Sequence, residues 1–192
     1  MARIAPVPRA EWSEDMTAFI ARFRNSVIGE EPDHSHQSGS NLLGTLAGYP
    51  ALTKPFLSFN RHLLAENTLS ARQRELVILR VAHLRHCAYE WAQHAILAER
   101  AGIAPEEIAR VAQGGLRDWS QGERALLGAT DELLAGGTIG EDTWHVLVGQ
   151  FDDKQLMDLV FTVGTYALVA MALRSFGVEP ETELLPYLPN GH

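Results

Sequence analysis

The chain has 192 residues, 46% hydrophobic and 21% charged, the composition of an ordinary globular protein with length enough for one core or two small halves. Its net charge of −8, with Lys and Arg scattered rather than massed, argues against nucleic acid or an anionic membrane as partner, since both need a basic surface. A single cysteine, Cys87, excludes an internal disulfide and any Cys-x-x-Cys redox pair within one protomer.

Helix signals dominate, and no convincing alternating strand occurs, so the expected fold class is all-α. The N-terminal "MARIAPVPRAEWSEDM" has no apolar run of signal-peptide length, which makes a cytoplasmic location the expectation. Glu11 to Val27 is amphipathic, with Trp12, Met16, Phe19, Ile20 and Phe23 on one side. The polar loop "GEEPDHSHQSGSN" follows, and residues 1–40 form an N-terminal helix-and-loop segment. Leu42 to Leu64 reads as helix interrupted at Pro50 and Pro55. Ser70 with Gln73 has capping-box spacing and starts a strong helix through "RELVILRVAHL".

A break near His86 precedes the helix "CAYEWAQHAILAERAG", which stops at Gly102. Pro105 opens a short helix ending at Gly114. Ser120 with Glu123 caps "ERALLGATDELLAGG", a short helix covers Glu141 to Val148, and Asp152 with Gln155 opens the last long helix, ending near Gly177. The Leu159–Leu173 stretch of that helix is apolar all round. It is too short for the ~20 residues of a bilayer span and reads as buried. Cover on every side calls for a homo-oligomer. Residues 179–192 form a Pro-rich, irregular tail. "HLLAENTLS" (62–70) echoes "ELLAGGTIG" (132–140), which suggests two similar helical units within a domain spanning 41–178.

The chemistry concentrates in "CAYEWAQH". Cys87, Glu90 and His94 are spaced so that, at about 100° per residue, their side chains return to within roughly 60° of one another. Upstream, Glu75 lies where an antiparallel pair of helices would set it opposite His94. A carboxylate beside an imidazole orients the ring, fixes its tautomer and raises its basicity. Glu90, one turn from His94, would gain acid character if buried. The plainer reading pairs Glu75 with Arg72 on a helix surface and leaves His94 structural.

"R-E-L-x-I-L-R-x-A", then "Y-E-W-x-x-H", then "A-G-I-x-x-E-E-I" resembles the carboxymuconolactone decarboxylase family of the alkylhydroperoxidase-D-like superfamily. The likeness is strong over roughly residues 40–115 and looser through "DELL" and "VGTYALVAMAL". The peroxidase branch of that superfamily carries Glu, eleven residues, Cys-x-x-Cys, three residues, His. Here Glu75, Cys87 and His94 match, but Glu90 replaces the second cysteine. Dithiol–disulfide cycling therefore cannot close within the protomer. The resemblance implies instead acid–base chemistry in a helical pocket, in a ring or pair of protomers.

Other constellations are weaker. His83 and His86, with His34 and His36, lack a ligand spacing that would mark a metal site, and no cofactor motif is present. Trp144-His145 offers a possible pocket wall, with Trp144 the better candidate for core. The favoured expectation is a cofactor-independent lyase or isomerase of a small organic acid or lactone. His94 is the acid/base, Glu75 orients it and Glu90 carries a second proton. Cys87, Tyr89 and Trp91 line the pocket, and Arg80 is available to hold a substrate carboxylate. A Cys87-dependent peroxidase and a non-catalytic oligomeric binding protein are the alternatives.

Overall fold

The computed structural model describes residues 2–28, 39–114 and 117–188. His34 and His36 lie outside them, as does most of the polar loop. Among the described residues there are nine α-helices and no strand. They are α1 (Glu14–Ile28), α2 (Ser40–Ala47), α3 (Pro50–Arg61), α4 (Ala71–Leu84), α5 (Ala88–Arg100), α6 (Pro105–Gln113), α7 (Gln121–Gly136), α8 (Glu141–Val148) and α9 (Asp153–Phe176).

Local chemistry sets most of these boundaries. Ser70, Ser120 and Asp152 each accept a hydrogen bond from the backbone N–H three residues on, and Gln73, Glu123 and Gln155 reach back to complete three capping boxes. α6, α7 and α9 end at Gly114, Gly137 and Gly177, all at positive φ, where a side chain would be strained. Pro50 sits at the first position of α3, where its missing N–H costs nothing. Pro55 stands inside α3 without ending it, so the second interruption expected from the sequence does not occur.

α4 is the hub, packed against α5, α6, α7 and α9. Leu76, Val77, Ile78, Leu79, Val81 and Ala82 are essentially removed from solvent, as a helix covered on all sides requires. α9 is 24 residues long and apolar enough to cross a bilayer, longer than the Leu159–Leu173 stretch suggested. Of its most apolar window, 61% is buried inside the protein against neighbours that include α4 and α7. The two echoing stretches both occupy helix-to-helix junctions, ending at the residues that cap α4 and α8.

The segment before α1 is tied down rather than trailing. Val7 N–H donates to the Gly44 carbonyl at 3.0 Å, and a Cβ at Gly44 would meet Pro6 Cβ at 2.9 Å. Only glycine allows this approach, which sets α1 beside α3 and over the site. The C-terminal tail is also more ordered than its prolines suggest. Thr182–Tyr187 forms a 3-10 helix against α5, with Leu184 buried.

Candidate active site

The α4–α5 connection brings Glu75 to His94. His86 takes a positive φ of 52°, which breaks the chain between the helices and turns α5 back along α4. Glu75 is fully buried, and its Oε2 lies 2.7 Å from His94 Nδ1. A carboxylate oxygen only accepts, so Nδ1 carries the proton and Nε2 is left for proton exchange. The other carboxylate oxygen, Oε1, accepts from Arg74 Nε at 2.9 Å.

Arg74 is itself fixed by the fold. Residues His62–Glu66 form a π-helical turn after α3. Its Leu64 carbonyl, an unpaired group of the helix end, accepts from Arg74 Nη1 at 2.8 Å. The order Leu64, Arg74, Glu75, His94 thus runs from a helix terminus to the imidazole. Arg72, the partner of Glu75 in the plainer surface reading, instead bonds Glu107 and Glu123.

His94 lines a cavity of about 150 Å³ walled by α1, α2, α3, α5 and α9. Its walls are mostly apolar, including Phe23, Leu43, Phe56, Leu57, Leu97 and Leu173. Glu90 and Tyr166 line it beside His94. Glu90 is buried, and neither carboxyl oxygen has a hydrogen-bond partner. Desolvation holds its pKa well above the usual carboxylate value, in the protonated direction. Tyr166 presents its ring edge-on to His94, with centroids 4.9 Å apart at 88°, and its buried hydroxyl is also unpartnered. Burial, then the neighbouring Glu75 and Glu90, keep that hydroxyl protonated. Tyr89 lines the same cavity and donates to Glu181 Oε1 at 3.0 Å.

Three expected pocket residues belong elsewhere. Cys87 borders a separate groove of about 610 Å³ with His83, His86 and Trp91, and packs in a core cluster with Ile96, Leu173 and Leu184. The helical spacing fails at Cys87 because it is the N-cap of α5, at φ −102° and ψ 88°, outside the helix proper. Burial, then Glu90, push its thiol up to about 12. Trp91 follows Glu90 by one residue, about 100° round the helix, and faces a core with Leu76 and Leu127. Arg80 is five residues from Glu75, about 140° away on α4. It is buried, forks onto Asp131 at 2.6 and 2.8 Å and donates to the Val111 carbonyl at 2.7 Å, so it braces α4 against α6 and α7. Trp144 and His145 are exposed and line neither space. Tyr166 and Arg24 were not anticipated. Tyr166 sits within the apolar run of α9, where the sequence marks only burial.

Fold and site together define an all-α protein of alkylhydroperoxidase-D-like architecture with a buried carboxylate–imidazole pair beside a small apolar cavity. Residues 50–132, which span α3 to most of α7, match the sequence model of the carboxymuconolactone decarboxylase family. Among solved structures, a peroxidase-related protein from Ralstonia eutropha JMP134 with an alkylhydroperoxidase AhpD core is 20% identical. The match covers 94% of each chain, with a TM-score of 0.77. A peroxidase-related protein from Silicibacter sp. TM1040 is 19% identical over 93% of this chain and 91% of its own, with a TM-score of 0.75. The debrominase Bmp8 is 12% identical over 96% and 95%, also with a TM-score of 0.75. These likenesses show the fold. No curated protein matches the sequence.

Proposed function

We propose that the chain is an acid–base enzyme, a lyase or isomerase, acting on a small and largely apolar carboxylic acid or lactone. The observation that carries this reading is the 2.7 Å contact of buried Glu75 with His94, at the wall of a cavity that also holds buried Glu90, whose pKa desolvation raises. A family that includes enzymes supports a catalytic role in general.

In isomerisation, Nε2 takes a proton from the carbon next to a carbonyl and returns it at another carbon, while the Glu90 O–H hydrogen-bonds the enolate oxygen. In decarboxylation, the electrons of the C–CO₂ bond move into a conjugated carbonyl, CO₂ leaves, and the imidazolium supplies the proton to carbon. Glu75 stabilises the imidazolium in both and keeps the ring oriented. A thiol peroxidase is disfavoured, because Cys87 lies outside this cavity with a thiol that stays protonated near neutral pH.

The test is solvent deuterium incorporation, followed by NMR, into a panel of five- and six-membered lactones and unsaturated acids. Exchange should be lost in His94→Ala and kept in Cys87→Ser. Peroxide consumption that disappears in Cys87→Ser, with no exchange on any panel member, would overturn the acid–base reading.

A further inference from the structure

Buried polar atoms without a partner are rare in folded proteins, so several in one place point to a partner that the chain does not supply. Among the described residues such atoms occur on Arg24, Asn60, Glu90, Gln93, Tyr166 and Glu181. All but Glu181 belong to residues lining the His94 cavity. Asn60 contributes an acceptor, Oδ1, and the other four fall into two groups by chemistry. Glu90 and Tyr166 accompany the imidazole. Arg24 Nη2 and Gln93 Nε2 are nitrogen donors, and Arg24 is the one Lys or Arg among the described lining residues.

We propose that Arg24 is the anchor for the carboxylate of the substrate, with Gln93 as a second donor, and that the substrate is a monocarboxylate with an uncharged body about the size of one six-membered ring. This rests on the acid–base reading of the same cavity and adds the residue that selects the ligand. Its size follows from a volume of about 150 Å³, comparable to apolar cavities that hold benzene. Phe56, Leu57 and Leu97 suit an uncharged body, and a planar guanidinium suits a carboxylate through paired N–H donors. Burial raises the pKa of Glu90 toward its neutral form, which lessens its opposition to a second carboxylate. Glu181 is the anion that already acts on Arg24, with Oε1 accepting from Asn41 N–H and the Tyr89 hydroxyl and Oε2 without a partner. A bound carboxylate therefore shares the Arg24 charge with Glu181, and Nη2 is the donor left for it. Arg24 stands on α1, outside residues 50–132, so this contact is added to the family segment rather than contained in it.

The experiment compares benzoate with benzyl alcohol, two probes of one shape that differ in charge, by isothermal titration calorimetry on the full chain. Wild type should favour benzoate. In Arg24→Gln that preference should fall about ten- to hundredfold, the usual range for a charge-assisted hydrogen bond, with benzyl alcohol affinity retained. Arg24→Lys, which keeps the charge and loses the fork, should fall in between, and it decides the matter if Arg24→Gln does not fold. Cys87→Ser, outside this cavity, should leave the preference intact. A wild type without preference for benzoate, or a preference unchanged in whichever Arg24 variant folds, overturns the anchor. Loss of the preference in Arg24→Gln from a protein that exchanges no substrate proton would uphold the anchor and sink only the acid–base reading.

Discussion

Glu75 has both oxygens committed, one to Arg74 and one to His94, so its charge and its position are separable by mutation. Glu75→Gln keeps the shape and removes the charge that stabilises an imidazolium. Turnover in the exchange assay should fall about 10²-fold or more while circular dichroism stays native, in line with acid–base contributions. A loss under threefold would remove Glu75 from the mechanism. Glu90 makes the opposite statement, since its burial favours function over stability. Its folded pKa is raised above 4.5, so its contribution to stability is complete below that value and is lost as pH rises through the folded pKa. Glu90→Gln removes the ionisation, and relief of about 1–3 kcal/mol for a buried unpaired group corresponds to a Tm gain of roughly 3 °C or more at pH 8. At pH 4 the gain should vanish. Equal gains at both pH values, in melts followed by ellipticity, would contradict this.

At the scale of elements, Arg72 joins three helices by bonding Glu107 at the start of α6 and Glu123 at the start of α7. Its hydrogen bond, then the Ala104 backbone N–H, hold Glu107 down to about 2. A depressed carboxyl contributes stability that is present above 4.5 and lost as pH falls toward about 2. Burial opposes the same shift at Glu123, where bonds from Ser120 and Arg72 outweigh it. Arg72→Met should therefore raise the acid-unfolding midpoint measured by tryptophan fluorescence and leave alkaline stability little changed. An unshifted acid midpoint would mean that this ion-pair group carries no coupling. Arg80 is the deeper brace, and Asp131→Asn should cost about 1–2 kcal/mol in urea unfolding, less than a fully buried pair because the aspartate side chain is 36% exposed.

For the molecule as a whole, the outward side of α9 is the unresolved feature of its surface chemistry. Met157, Phe161, Leu168 and Met171 are each more than half exposed, and with Gly164 they recur at alternating spacings of four and three. That is the repeat of a helix–helix seam, and a monomer in water would leave it wet. Trp144 and Val148 on α8 extend the apolar surface. Self-association through α9 is the expectation. Light scattering at micromolar protein should return a multiple of 21.2 kDa, and Phe161→Glu should lower it toward one chain. A wild-type mass of one chain would dispose of the idea.

The chain's own pattern determined the helices, because caps and positive-φ glycines act within a few residues of where they stand. Ser70, Ser120, Asp152, Gly114 and Gly177 all function where the sequence put them. The Glu75–His94 pair was legible for a related reason: one break at His86 folds two adjacent helices together, and helical periodicity fixes which faces meet. Periodicity stopped being a guide where the backbone leaves the helix, at Cys87, and it could not say which neighbour would cover the faces of Arg80 and Trp91. Nor could it bring Arg24 of α1 and Tyr166 of α9 into one cavity with His94. Those contacts join residues far apart in the chain, and only the packing of α1, α5 and α9 about the same space decides them.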